Sequence, residues 1–313
     1  MIAASQKPPP LPDKRGKAAD PYMARGTILA GKFRIEKMIG GGGFGQIFRA
    51  SYLQKGIVVA VKVEPESDEA GRMVLEQKVL AKLLGKLNIP RILYAGAVGG
   101  YNFIVMQILG KNLADLRRGT RSHRLQLSTS VRVGVQMVQA LRDLHEIGNL
   151  HRDVKPSNMC AGTGDHRRLI YLVDFGMTRQ FRLGDGSLRR NRHYAAFRGT
   201  MRYVSVNVHM REEQMPRDDL ISLWYTLIEL GEGQLPWKSV NDPDEVMHQK
   251  YKSSFKDLCK HWPPEFEQYM KTLEKGDAST PDYDRLTMIL KGCCNVDETA
   301  DFEWDDEEFS SEN

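Results

Sequence analysis

No stretch of this 313-residue chain approaches the roughly 18 uncharged apolar residues of a membrane-spanning helix, so a membrane partner is not expected. Cysteine is scarce. Cys160, Cys259, Cys293 and Cys294 show neither a C-x-x-C pair nor framework spacing. That argues against a disulfide scaffold and a zinc site and predicts free thiols in a reducing cytosol. Internal repeats are absent. The N-terminal stretch, rich in Pro, Lys and Ala, lacks the apolar run of a secretory signal, and residues 1–28 are expected to be a disordered leader. Basic residues are missing from the last seventeen positions, Asp297 to Asn313, which hold nine acids. Against a net charge of +5 overall, that leaves +14 on the remaining chain. A basic body with an acidic end suggests acidic partners for the body.

What is present falls into two halves. From Lys32 to Val63 the pattern is strand-like: Phe33-Arg34-Ile35, a glycine cluster, Gln46 to Ala50, then Ile57 to Val63. Glu69 to Leu84 has helical spacing. Ile92-Leu93-Tyr94 and Phe103 to Met106 read as two more strands, with Gly99-Gly100 as a turn signal between them. The expectation is a five-stranded sheet with one helix. Beyond Gly110 helices dominate: Ser128 to Ile147, with Ser128 as candidate N-cap and Gly148 as the stop, then Asp218 to Glu229 and Pro264 to Glu274. Leu169 to Val173 is a short apolar strand.

The chemistry concentrates in His151-Arg152-Asp153-Val154-Lys155-Pro156-Ser157-Asn158, followed sixteen residues later by Asp174-Phe175-Gly176. Asp153 can accept a hydroxyl proton, and Lys155 can offset phosphate charge. Asn158 and Asp174 offer the hard oxygen ligands that magnesium prefers. That combination is a phosphoryl-transfer centre. His151 and Arg152 read as structural, a packed imidazole and a guanidinium that organises the loop. Upstream, Gly40-Gly41-Gly42-Gly43-Phe44-Gly45 fits G-x-G-x-x-G between two strands, where missing Cβ atoms let the backbone approach phosphates. A strand rather than a helix follows it, which argues against a Rossmann site. Lys62, in Val59-Ala60-Val61-Lys62, can reach the α- and β-phosphates if a carboxylate holds it, and Glu76 is suitably placed.

On these residues the chain resembles a eukaryotic protein kinase over about Gly31 to Leu290. More narrowly it resembles the casein kinase 1 group, which has Ser-x-Asn where most protein kinases have Ala-Pro-Glu; here the segment is Ser205-Val206-Asn207. Asp218-Asp219-Leu220, Gln234-Leu235-Pro236-Trp237, Lys260 to Phe266 and Pro281-Asp282-Tyr283 match as well. Within the group, the glycine loop, Val105-Met106-Gln107, Asn112 to Arg118 and Ala196 to Thr200 look most like the tau-tubulin kinases.

The resemblance implies an α+β, bilobal fold with a small antiparallel β-sheet N-lobe carrying one helix and a larger helical C-lobe. The kinase domain would span 29–296, with the N-lobe about 29–106, the hinge 107–111, the C-lobe 112–296, and an acidic disordered tail at 297–313. It implies ATP and Mg2+. Asp153, Lys155, Lys62 and Glu76 would be catalytic, and Asn158 and Asp174 would hold metal. Ile39, Gly40, Gly42, Gly43, Phe44, Gly45, Ile47, Ala60 and Lys62 would surround the nucleotide. Met106 would be the gatekeeper, Gln107 and Leu109 would offer hinge backbone groups, and Asp219 would brace the catalytic loop.

Seven arginines, Arg179, Arg182, Arg189, Arg190, Arg192, Arg198 and Arg202, follow Asp174. Their forks suit phosphate, so Arg179, Arg198 and Arg202 are the candidate substrate-anion site, and acidic or phosphorylated proteins the expected substrates. Arg202 matches one residue of the group's anion site; a lysine typical of that site falls on Asn241 here, with Lys238 close by. The alternative is a catalytically weak scaffold. Without a recognised module, nucleic acid is not an expected partner. The chain is expected to be a monomer in the cytoplasm, with the nucleus as a second location. The acidic tail either only solubilises or folds back onto the basic groove as a pseudosubstrate. The long C-terminal extension of tau-tubulin kinases is not in this sequence, and microtubule association is not carried over.

Overall fold

The computed structural model describes residues 19–42, 45–66 and 71–305, which form two compact units. The first comprises the chain to residue 85 with 89–109; the second comprises 86–88 and the chain from 110 onward.

The first unit is one antiparallel sheet and a helix. Its strands are β1 (Ile28–Leu29), β2 (Phe33–Gly42), β3 (Gly45–Tyr52), β4 (Ile57–Pro65), β5 (Ile92–Val98) and β6 (Tyr101–Gln107), in the order β1-β2-β3-β4-β6-β5; the helix α1 is Gly71–Lys82. The two-residue β1 is one strand more than the sequence pattern announces, being too short to show a period. Phe33 and Ile35 point inward and Arg34 outward, as the alternation requires. In β4 everything from Val59 to Glu64 is buried. Leu29, Phe33, Ile35, Phe48, Val61 and Phe103 pack together at the centre of the core. Gly99 and Gly100 take φ of +55° and +81°, which lets β5 turn directly into β6.

Residues 19–28 are not the disordered leader expected of them. Met23 joins the core, the Tyr22 N–H donates to Gln46 Oε1 at 2.7 Å, and Gln46 Nε2 donates to the Asp20 carbonyl at 2.9 Å. Tyr22 packs against the same core with its ring 5.3 Å from that of Tyr101, and the Gly26 N–H donates to the Ile35 carbonyl at 2.8 Å, contacts that the surrounding composition conceals. Residues 1–18 lie outside the described residues.

The second unit is helical: α2 (Leu113–Gly119), α3 (Leu127–Glu146), α4 (Val206–His209), α5 (Pro216–Glu232), α6 (Pro243–Lys252), α7 (Phe255–Leu258), α8 (Glu267–Lys275) and α9 (Tyr283–Gly292). Two short strand pairs carry the loops that matter: β7 (Asn149–Leu150) with β10 (Arg179–Gln180), and β8 (Met159–Ala161) with β9 (Ile170–Leu172). α3 and α5 form the centre, in close approach at Gly134, where a Cβ would sit 2.9 Å from Leu227 Cδ1. α5 begins with Pro216, which lacks an N–H the first turn could not use, and ends at Gly233 in the left-handed region. α3 ends before Gly148 as expected. Its cap lies two residues earlier than expected, at Gln126 rather than Ser128. The Gln126 N–H donates to the Glu303 carboxylate at 2.9 Å, so an acid from the distant C-terminal segment serves that end.

That segment corrects a second expectation. Residues 297–305, assigned to a disordered tail, are packed. Phe302 is 1% exposed and stacks on Trp304 at 4.5 Å, with the Arg132 guanidinium 3.9 Å above its ring. Arg132 donates to the carbonyls of Asp301 and Glu298, and Arg167 and Arg168 pair with the Asp301 carboxylate. The density of acids hides two aromatic anchors. Residues 306–313 lie outside the described residues. Among the described residues no helix is long and apolar enough to cross a membrane.

Candidate active site

In the first unit Lys62 lies on β4, opposite Ile47 on β3 and Ile104 on β6. Its ammonium meets Glu76 Oε2 on α1 at 2.6 Å, with Glu64 Oε1 at 3.4 Å. All three side chains are buried. Removing one member of such a pair strands a charge, at a cost of roughly 3–5 kcal/mol.

The glycine loop is the turn between β2 and β3, closed by the pairing of Gly42 with Gly45. Gly43 and Phe44 lie outside the described residues. The two closing glycines serve different needs. A Cβ on Gly45 would sit 2.6 Å from the Val63 carbonyl and 2.7 Å from Glu64 Cγ, so Gly45 is required by packing on β4. A Cβ on Gly42 would meet nothing within 4 Å. Gly42 thus meets no packing requirement, and its missing Cβ leaves room for close approach to phosphate. Gly40 packs on Ile47. Ala60 is buried opposite Met106, Ile47 and Leu109 are half-buried, and Ile39 is partly exposed. The Gln107 N–H is engaged by the Arg91 carbonyl at 2.9 Å.

In the second unit the loop after β7 is held from below by Asp219, fully buried on α5. Its carboxylate accepts the N–H groups of His151 (2.7 Å) and Arg152 (2.8 Å) and lies 3.0 Å from His145 Nε2. Burial alone would raise the Asp219 pKa; the bond and charge of His145, the charge of His151 and its backbone N–H outweigh this and lower it. Arg152 turns the chain at φ +69° and donates to the Met177 carbonyl at 2.7 Å. His151 Nε2 lies 3.1 Å from the Val173 carbonyl, its ring edge-on to Phe175.

Asp153 follows, buried, with both oxygens engaged. Thr200 Oγ1 donates to Oδ1 at 2.6 Å, and Lys155 Nζ lies 2.6 Å from Oδ2. Lys155 also donates to Thr200 Oγ1 at 3.0 Å. Asn158 Nδ2 donates to the Asp153 carbonyl (2.9 Å) and to Oδ2 (3.1 Å). That commits the amide nitrogen and makes the oxygen the end a cation could use. The Val173 N–H donates to the Asn158 carbonyl at 3.0 Å, bringing Asp174 beside Asn158, and Asp174 itself is turned at φ +66°. Two hard oxygen ligands on adjoining segments fit a divalent cation.

The arginines do not form one cluster. Arg179 and Arg192 share the Glu213 carboxylate at 2.9 and 2.7 Å. Burial tends to raise the Glu213 pKa, but its bonds from Arg192 and the charge of Arg179 bring it below the usual value. Burial pushes Arg152 down to about 10, and the neighbouring charges of Arg179, Arg198 and Arg192 add to this against Asp219. Arg202 stands elsewhere, with Nη1 3.3 Å from Glu229 Oε1 and Nη2 donating to the Lys238 carbonyl at 3.1 Å. It lines a cavity of about 400 Å³ together with Arg118, Lys155, Thr200, Trp237 and Lys238. Asn241 lines the same cavity.

Sequence reasoning gave no role to Thr200, Glu213, Glu229 or His145. Thr200 stood inside a quoted motif, Gly199-Thr200, and a hydroxyl there was the available signal. The two glutamates had none, since their partners are distant in sequence.

A model of the protein kinase domain matches residues 33–301. A Dictyostelium discoideum protein described as a probable serine/threonine-protein kinase is 39% identical over 287 residues, covering 90% of this chain and 58% of its own length. A Caenorhabditis elegans protein provisionally named casein kinase I is 42% identical over 229 residues, 72% of this chain and 67% of its own. The chain thus spans less than two thirds of the Dictyostelium relative.

Proposed function

The chain belongs to the protein kinase family, its relatives being consistent with the casein kinase 1 group, and on that premise we propose that it is a serine/threonine protein kinase. It transfers the γ-phosphoryl of ATP to Ser and Thr hydroxyls of acidic or already phosphorylated proteins. The observation that carries the reading is the setting of Asp153, a buried carboxylate held by Lys155, Asn158 and Thr200 on a loop braced by Asp219.

Asp153 orients the acceptor hydroxyl and takes its proton, and Lys155 offsets charge developing on the transferred group. Lys62, held by Glu76, would contact phosphates, and the glycine loop would approach them. Asn158 and Asp174 would hold magnesium, which neutralises phosphate charge when bound. Most of the rate enhancement of such a site comes from positioning and electrostatic stabilisation rather than covalent chemistry. Ile39, Ile47, Ala60, Met106, Gln107 and Leu109 would receive the adenine.

The substrate preference is supported by the cavity beside Asp153, whose lining includes Arg118, Lys155, Arg202 and Lys238. Glu229 offsets part of the Arg202 charge and Asp115 part of that of Arg118, and Asn241 adds none, so Lys238 carries the preference alongside Arg118 and Arg202. The second cationic group, Arg152, Arg179, Arg192 and Arg198, contains two carboxylates, Glu213 and Asp219, and retains positive charge.

Three peptides matched except for a neutral, acidic or phosphorylated flank test this. The reading expects kcat/KM to rise from the first to the last and the difference to shrink with salt, because exposed charge attraction is screened. Equal values at low salt would overturn the preference while leaving the phosphotransfer activity standing.

A further inference from the structure

Between Thr200 and Ser205 the backbone forms one wall of the cavity beside Asp153, through Thr200, Met201, Arg202 and Tyr203. Nearly every residue there is tied down. Thr200 is bonded to Asp153 and Lys155, the Trp237 indole N–H donates to the Arg202 carbonyl at 2.8 Å, the Tyr203 hydroxyl donates to Glu229, and the Ser205 hydroxyl donates to Asp218 at 2.6 Å. Two carbonyls, those of Met201 and Val204, face inward and find no backbone partner of a helix or strand. Both are taken by one side chain, Lys250 on α6, whose Nζ donates to them at 2.7 and 2.6 Å, and His209 also bonds the Met201 backbone.

Lys250 is 5% exposed, an expensive place for an ammonium. Its surroundings are made for it. Nζ lies 3.3 Å from His209 Nε2, 5.1 Å from the Tyr225 ring centre and 5.6 Å from that of Trp237. Burial pushes Lys250 itself down to about 7, and burial with the Lys250 charge pushes His209 down to about 4, so near neutral pH the imidazole is uncharged and can accept a hydrogen bond from Nζ. Two carbonyls, one imidazole and two aromatic faces satisfy three donors and a cation. The two carbonyl bonds need only the donors of Nζ, which the amine and the ammonium both supply, whereas an apolar side chain would fill the same space at lower desolvation cost and leave the carbonyls bare.

We propose that Lys250 is a positioning residue for the protein substrate. By gripping the carbonyls of Met201 and Val204 it fixes the wall of the cavity that receives the acceptor peptide. It touches neither nucleotide nor the reacting atoms. The proposal rests on the kinase reading above and adds to it a determinant on α6, outside every motif by which the sequence announces its chemistry.

The test compares wild type with Lys250→Met, which keeps length and removes the donors, Lys250→Arg, and Tyr251→Ala, an 82% exposed control on the same helix. Steady-state kinetics with acidic peptide and with ATP are read beside direct ATP affinity and hydrogen exchange of the 200–205 amides. Lys250→Met is expected to lower kcat/KM for peptide by about tenfold or more, the scale of losing a charged hydrogen bond. ATP affinity should stay within about twofold, with tenfold corresponding to one lost interaction. Exchange should rise at the Tyr203 and Val204 amides, which donate to the Thr200 carbonyl. Lys250→Arg should show a smaller loss of the same kind and Tyr251→Ala none. Unchanged peptide kcat/KM in Lys250→Met, or equal losses toward peptide and ATP, overturns the positioning role. If Lys250→Met does not fold, Lys250→Arg decides by the same criterion. A wild-type chain inert toward every peptide overturns the kinase reading instead, and unchanged exchange at 203 and 204 then rejects the Lys250 clamp independently of activity.

Discussion

Thr200 Oγ1 donates to Asp153 Oδ1 at 2.6 Å, so a hydroxyl 47 residues further along the chain holds one oxygen of the proposed base. The bond fixes the carboxylate's rotation, and Lys155, bonded to both groups, closes the triangle. Thr200→Ala should therefore lower kcat by about 10-fold to 100-fold, the scale of a hydrogen bond to a charged group, with ATP affinity little altered. Thr200→Ser should retain most activity. Steady-state kinetics beside nucleotide titration check this; a loss in nucleotide affinity equal to the loss in kcat would assign Thr200 a different role.

The Lys62–Glu76 pair is buried on both sides, so its members are coupled in stability. Lys62→Met should destabilise the chain by roughly 3–5 kcal/mol in urea unfolding. Pairing it with Glu76→Leu should recover part of that loss while leaving phosphotransfer abolished. Additive losses in the double variant would show that the two side chains do not act as a unit.

Asp219 predicts a pH signature. Its folded pKa is lowered, burial being outweighed by His145, His151 and the backbone donors, so its contribution to stability is fully present above the unfolded carboxylate value. It is lost as pH falls through the lowered folded value. Wild type should exceed Asp219→Asn in stability at pH 6, and the gap should narrow below about pH 4. Unfolding midpoints from pH 6 to 3 read this directly. A gap that widens on acidification would contradict it.

Phe302 predicts the weight of the C-terminal segment. It is fully buried between Trp304 and Arg132, and Phe302→Ala should cost about 3–5 kcal/mol. Glu303→Gln, which weakens the acceptor at the start of α3, should cost about 1 kcal/mol. Thermal unfolding of both variants checks the order; equal and negligible losses would mean the segment adds no stability.

The sequence was most legible where chemistry and local pattern coincide. Asp153, Asn158 and Asp174 announced themselves through spacing, and α3 and β4 through apolar periodicity. The partition into a strand-rich first half and a helical second half followed from the same signals. What stayed hidden is long-range. Glu213 and Glu229 neutralise arginines that sequence shows only as a charge run, and no local signal links Lys250 to the carbonyls of Met201 and Val204. The packed ends were missed for a related reason. Pro- and Lys-rich or acidic composition argues for disorder on average, while Met23, Phe302 and Trp304 are isolated apolar residues in those stretches, with partners such as Phe103 and Arg132 far along the chain.

The central claim is that Asp153 serves as the base of a phosphotransfer centre. Transfer of the γ-phosphoryl from ATP to a serine or threonine peptide, with and without magnesium, in wild type and Asp153→Asn tests it most directly. Magnesium-dependent transfer by wild type is expected, with a loss of about 10²–10⁴-fold in Asp153→Asn at preserved ATP affinity. Equal transfer by the two proteins, or none by either while ATP still binds, would contradict it.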